Sequence, residues 1–148
     1  NLAPFISVQP EYNMINRDVE TDLMPFCHAY NIGVLPYVPL ASGFLTGKYK
    51  NGEPIPDGTR LSGNDRAQER ALTEKNFSIL SNLERFAREK GYPMVELAIN
   101  WLLADWCVSS VIAGATSIEQ VKANARAADW QLSKDDKKEV DAILTSAA

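Results

Sequence analysis

The chain has 148 residues, enough for one domain with a real core, and its 45% hydrophobic and 23% charged residues exclude a disordered or fibrous polypeptide. The formal net charge is −4 and no run of Lys or Arg exceeds a pair, so a nucleic-acid partner is not expected, because offsetting backbone phosphates takes a basic face. No apolar run is long enough to span a bilayer and no signal peptide is evident, which makes a cytoplasmic protein with no membrane partner the default expectation.

Residues 4–8 (Pro-Phe-Ile-Ser-Val) read as a short buried strand. After a loop over 13–18, Val19, Leu23, Phe26, Cys27 and Tyr30 recur at helical spacing. Pro25 falls inside that helix, where losing one backbone hydrogen bond is expected to bend it. Gly33 serves as the expected left-handed stop. Residues 34–37 form a second strand, in which Pro36 cannot donate to a ladder and implies a bulge or an unpaired register. Residues 46–72 are polar and rich in Gly and Pro, and a loop of that length suggests a lid or a binding loop.

Helical periodicity resumes near Thr73, with Ile79, Leu83, Phe86 and Lys90 on one stripe and Gly91 as terminator. Pro93 opens the next helix at its first turn, and Val95, Ala98, Ile99, Leu102 and Leu103 form its buried face. Residues 108–113 are the third strand. Ser117 and Gln120 make a capping-box pattern for the helix that follows, and Ser133 caps a last helix with Val140, Ile143 and Leu144 inward. Cys27 and Cys107 lie in apolar surroundings and read as reduced, buried thiols; with a single His beside them, a structural zinc site of four Cys/His ligands is not expected.

The order is strand, helix, strand, long loop, two helices, strand, two helices. Such alternation implies parallel strands with right-handed crossovers. Three βα units cannot close a (β/α)8 barrel, which takes roughly 250 residues, so the fold expected is half of a TIM barrel with two exposed sheet edges. The first residue is Asn1 rather than Met and stands almost directly before a strand, as expected for a piece of a larger protein.

Three segments place polar groups at the carboxyl ends of the strands, where βα proteins bind ligands. Gln9 offers both a donor and an acceptor, the pair a carboxamide requires, although a strand-end Gln more commonly bonds a neighbouring loop. Tyr37 could stack on a flat heterocycle or simply join the core. The turn Pro39-Leu40-Ala41-Ser42-Gly43 lets backbone N–H groups approach a pyrophosphate, while Lys48 and Arg60 could add positive charge or remain solvated. Gly114-Ala115-Thr116-Ser117 runs into a helix N-terminus suited to a phosphate. Thr116, Gln120 and Asn124 share one helix face, with Gln120 either near an adenine or occupied in the capping box.

Taken together, V-Q-x-E-Y-N, Y-x-P-L-x-x-G-x-L-T-G-K and G-A-x-x-x-E-Q-V-x-x-N resemble the aldo-keto reductases, most of all the bacterial branch related to potassium-channel β subunits, over nearly the whole chain. The resemblance implies strands six to eight of a TIM barrel that binds extended NADP(H) and reduces a small carbonyl substrate. It implies that Gln9 binds the carboxamide, Tyr37 stacks on nicotinamide, and Val38, Pro39, Leu40, Ser42 and Lys48 line the pyrophosphate. Arg60 would strap the cofactor, and Gly114, Thr116, Gln120 and Asn124 would hold the adenosine end. Val38 replaces a common Ser, Gln120 a common Arg and Ala123 a common Glu, so NAD(H) stays open beside NADP(H). The family's catalytic Asp, Tyr, Lys and His come from earlier strands and have no counterpart here, which implies no catalytic residue in this chain and no hydride transfer by it alone. His28 reads as a packing or surface residue.

A reductase is the leading reading. A non-catalytic, cofactor-binding regulatory subunit is the second, and an unrelated sugar-phosphate barrel the third. A half-barrel would pair with its missing N-terminal half, or with itself through the strand edges.

Overall fold

In the computed structural model, which describes residues 3–146, the centre of the fold is the extended segment 33–37. Strand β1 (Ser7–Val8) pairs with β2 (Gly33–Val34) in parallel, and the register continues to a bridge between Glu11 and Tyr37. Gly33, Leu35 and Tyr37 donate their N–H groups to the carbonyls of Ile6, Val8 and Pro10. On its other side the segment meets residues 108–112. Val34 donates to Cys107 O, while Ser109 N and Ile112 N donate to the carbonyls of Val34 and Pro36.

Pro36 is resolved by a bulge. Bridges join Val34 to Val108 and Tyr37 to Ile112, so three steps along one segment match four along the other. The extra residue falls opposite the proline, where no N–H exists to continue the ladder. Regular strand is therefore confined to two residues in each of β1 and β2, shorter than the periodicity suggests, and the third strand survives as isolated bridges.

Gly33 has a different role from the expected helix stop. Asn31 takes the left-handed conformation, at φ 55°, and Gly33 lies in β2. A Cβ on Gly33 would stand 2.6 Å from Ser109 Oγ, so its bare α-carbon is what lets the two segments approach. Pro25 also departs from expectation. Helix α1 (Leu23–Tyr30) begins two residues before it, in the first turn, whose N–H groups have no intrahelical partner. No bend is needed. Phe26 and Tyr30 stack on each other at the surface rather than entering the core.

The polar stretch after Thr46 contains helix α2 (Asp65–Ala71), capped by the Asn64 side chain, which accepts from Ala67 N. Helix α3 (Glu74–Lys90) follows, capped by Thr73 and ended by Gly91 at φ 77°. Its buried Ile79, Leu80, Leu83, Phe86 and Ala87 follow the 3.6-residue period. Lys90 leaves that stripe at the surface and pairs with Asp136. Helix α4 (Met94–Leu103) is buried on nearly every side, with Pro93 one residue before it as its cap. Helix α5 (Ile118–Arg126) buries none of its residues, and α6 (Lys134–Ser146) packs back on α3 through Val140 and Leu144.

Asn100 holds the carboxyl-terminal third in place. Its side chain, nearly inaccessible on α4, donates to the carbonyls of Ala127 and Trp130 and accepts from Leu132 N, all within 2.7 Å. Removing the amide would strand three backbone groups in the core. Asn100→Ala is expected to cost about 2–4 kcal/mol, read as a lower midpoint in urea unfolding of the protein. An unchanged midpoint would mean that water or neighbouring groups replace those bonds.

Candidate cofactor cavity

A cavity of about 330 Å3 opens beside the turn that follows Tyr37, bordered by the second and third segments and by residues 58–60 of the long loop. Ten of the twelve residues singled out in the sequence line it: Val38, Pro39, Leu40, Ser42, Lys48, Arg60, Gly114, Thr116, Gln120 and Asn124. Gln9 and Tyr37 do not. Gln9 is exposed, and Tyr37 is just over one-third exposed while its main chain is held on both sides by the ladder.

The turn itself is strained. Val38, Ala41 and Ser42 all have positive φ, at 54°, 47° and 57°. For a β-branched residue such as Val38 this is rare and costs of order 1–3 kcal/mol. Its carbonyl is held by the buried side chain of Asn13, whose Nδ2 donates at 3.0 Å while Oδ1 accepts from Ile15 N and Asn16 N. Ala41 N returns to Val38 O, and the Tyr49 hydroxyl donates to Ser42 O at 3.2 Å. The first segment thus fixes the shape of the second.

Two glycines make room for the cations. A Cβ on Gly43 would stand 2.7 Å from Lys48 Nζ, and one on Gly114 would stand 2.5 Å from Arg60 Nη2. Lys48 and Arg60 therefore lie across the backbone of the rim. Among the described residues, the lining contains these two cations and no carboxylate. In a chain with 19 acidic and 15 basic residues, that makes the cavity locally positive.

At the far rim, Ser117 Oγ accepts from Gln120 N at the start of α5, as the capping pattern expects. The return bond differs. Gln120 Oε1 accepts from Thr116 N at 2.7 Å and from Thr116 Oγ1 at 3.1 Å, not from Ser117 N. Gln120 thus lines the cavity while its side chain bonds Thr116 rather than closing the capping box at Ser117. Asn124 Nδ2 donates to Gly114 O at the limit of hydrogen-bond distance.

A second, polar cavity of about 320 Å3 lies on the other side of the same turn and shares Val38 and Ser42 with the first. Glu11, Asn13, Asn16, Asp18 and Arg70 line it, with Arg70 3.6 Å from Glu11. The sequence reading missed Arg70, because α2 carries too few apolar residues to show a period; the Asn64 cap was the available signal. Tyr12 is turned away from chemistry. Its hydroxyl donates to Glu20 at 2.8 Å, and burial followed by that bond pushes its pKa up, so it keeps its proton. Cys27 and Cys107 are buried free thiols as expected, and burial, then Asp105, raises the pKa of both.

Parallel extended segments joined by helices, with a cavity at their carboxyl ends, are the arrangement of βα proteins, the (β/α)8 barrels among them. The aldo/keto reductase family model matches residues 1–145, and the chain belongs to that family. It is 37% identical over 127 residues to L-glyceraldehyde 3-phosphate reductase of Escherichia coli (strain K12), covering 84% of this chain and 37% of that protein. It is 41% identical over 124 residues to a probable voltage-gated potassium channel subunit beta of Arabidopsis thaliana, covering 82% and 38%. The structure of the glycerol dehydrogenase of Gluconobacter oxydans superposes with a TM-score of 0.82 at 30% identity, over 99% of this chain and 44% of that one. The chain thus spans about two fifths of the length of the proteins it matches.

Asn13→Ala is expected to cost about 2–3 kcal/mol, since it frees the Val38 carbonyl and two N–H groups. It should also weaken binding of any ligand of the cavity, measured by calorimetry on the folded variant. Full affinity in a destabilised Asn13→Ala protein would separate the turn from the site.

Proposed function

We propose that this chain is the cofactor-binding portion, strands six to eight with their helices, of an NADP(H)-dependent reductase that converts small aldehydes or ketones to alcohols. The observation that carries the reading is the charge of the cavity: Lys48 and Arg60 on its rim, no carboxylate among its described lining residues, and the start of α5 at one end. Guanidinium and ammonium groups match a pyrophosphate or a ribose phosphate, and the glycine-bared backbone allows close approach. The residues present therefore fit a phosphate-bearing dinucleotide.

Bound there, NADPH would supply the hydride. The chain's own residues bind and orient. Arg60 and Lys48 fix the phosphates, Ser42 and the 38–43 turn hold the pyrophosphate backbone, and Thr116, Gln120 and Asn124 border the adenosine end. Gln9 and Tyr37, outside the cavity, belong to the nicotinamide end in this reading. Tyr12 and His28 supply no proton to it: Tyr12 is bound to Glu20, and His28 pairs with Asp105 before the third extended segment, at the opposite end of the strands. The proton donor is proposed to come from the earlier strands of the barrel.

Titration with NADPH, followed by nicotinamide fluorescence, tests the reading. A saturable change is expected, and Arg60→Ala should weaken it by about 10- to 100-fold, the loss of one or two charge-assisted hydrogen bonds. No saturable signal, or an affinity indifferent to Arg60, would overturn it. Gln120→Arg adds a third cation, and is expected to tighten NADPH by at least about fivefold while leaving NADH nearly unchanged. Equal gains for both would place the adenosine phosphate elsewhere.

The similarity to a probable channel β subunit supports a second reading, a cofactor-binding regulatory subunit. NADPH oxidation by the whole protein with a carbonyl substrate favours the reductase, and tight binding without turnover favours the regulator.

The flanks carry the remaining inference about partners. Phe5 and Ile6 at the β1 edge are 88% and 82% exposed, and Ile118 and Val121 are exposed on α5. We infer that the N-terminal half of the barrel covers these surfaces, and that the 148-residue chain expressed alone pairs with itself through them. Light scattering at high concentration should then report a dimer or larger species; a stable monomer would count against the inference.

A further inference from the structure

At the amino-terminal ends of the strands, away from the cavity, a second cluster gathers around Asp105. A ring nitrogen of His28, a carboxylate oxygen of Asp105 and the sulfur of Cys107 lie within 4.8 Å of one another. His28 comes from α1 and the other two from the turn that leads out of α4, so the imidazole meets a carboxylate 77 residues further along the chain and a thiol two residues beyond it. His28 Nε2 is 2.8 Å from Asp105 Oδ1, and the imidazole stacks on Trp106 with centroids 5.2 Å apart. Asp105 Oδ1 also accepts from Cys107 N at 2.9 Å, which fixes the turn that presents the thiol.

These bonds account for the His28–Asp105 pair and for the turn at Cys107, and they bring an imidazole, a carboxylate and a thiol together at one place. A nucleophilic triad would need the imidazole between acid and thiol, one ring nitrogen facing each. Here the three donor atoms lie within 4.8 Å of one another, close enough to share one ion. A tetrahedral zinc ion at about 2.0–2.3 Å from N, O and S sets its donors about 3.3–3.5 Å apart. His28 Nε2 and Asp105 Oδ1, 2.8 Å apart, would separate to take that spacing. The expectation against zinc counted only Cys and His, and Asp105 is the donor it left out.

We propose that His28, Asp105 and Cys107 form a site for a borderline-soft divalent cation, with zinc as the leading ion and water as the fourth ligand. Thiolate and imidazole select zinc over magnesium or calcium, which take oxygen donors. Both His28 and Asp105 are only half-buried, so the site opens to solvent on one side. An ion there would join α1 to the start of the third extended segment, without touching the cofactor cavity.

Untagged, chelator-treated protein titrated with Zn2+ by calorimetry should bind one equivalent. Co2+ in its place should give the visible spectrum of a tetrahedral ion with a near-ultraviolet thiolate band. His28→Gln and Cys107→Ser should each weaken Zn2+ by at least tenfold, and Cys107→Ser should abolish the thiolate band. His28→Gln changes a half-exposed side chain and should leave the fold intact, which keeps the test valid if Cys107→Ser does not fold. Zn2+ binding unchanged in His28→Gln, or no stoichiometric uptake by the parent protein, would overturn the proposal.

Discussion

Four hydrogen bonds around residues 36–38 hold the three ligand-facing segments to one another. Tyr37 N donates to Pro10 O, Tyr12 N donates to Tyr37 O, Ile112 N donates to Pro36 O, and Asn13 Nδ2 donates to Val38 O. The first, second and fourth join segment one to segment two, and the third joins segment three. Every residue on the cavity rim is positioned relative to this clamp. It also accounts for the strain. Val38 cannot leave its left-handed conformation without breaking the bond to a buried amide whose other partners are fixed in the same loop.

The order of elements was legible because it rests on local physics. The period of α3 as far as Phe86, the caps at Ser117 and Ser133, and the glycine after Lys90 are all short-range signals, and the structure keeps each of them. What was not legible depended on contacts between distant segments. Gly33 looked like a helix stop because glycine commonly serves there; its reason is Ser109, which no local window contains. Pro36 announced a defect in the ladder but could not say which neighbour would absorb it. The answer, an extra residue in 108–112, is a property of register. Helix α2 was hidden because its face is polar and its cap is the only local mark.

The cavity was more legible than the strands that build it. Binding residues sit at turns, where a few residue types can adopt the backbone required, so identity carries more information there than in the core. Ten of the twelve named residues meet around one space. The two that do not, Gln9 and Tyr37, stand at the ends of the first two segments and are exposed. In the proposed reading, the adenosine and pyrophosphate end is walled by this chain, whereas the nicotinamide end would take its walls from earlier strands of the barrel.

The same asymmetry separates binding from reaction. Orientation of a dinucleotide requires fixed dipoles and cations, and those are present as Lys48, Arg60 and the start of α5. Proton transfer requires an acid within reach of the substrate oxygen, and the described polar residues nearest in kind are committed elsewhere. Tyr12 is tied to Glu20 and His28 to Asp105. Under the proposed function, this chain would hold the cofactor and the proton donor would come from another part of the barrel. On that reading, affinity and selectivity for phosphate would rest on Lys48, Arg60 and the start of α5, and turnover on what stands across the nicotinamide.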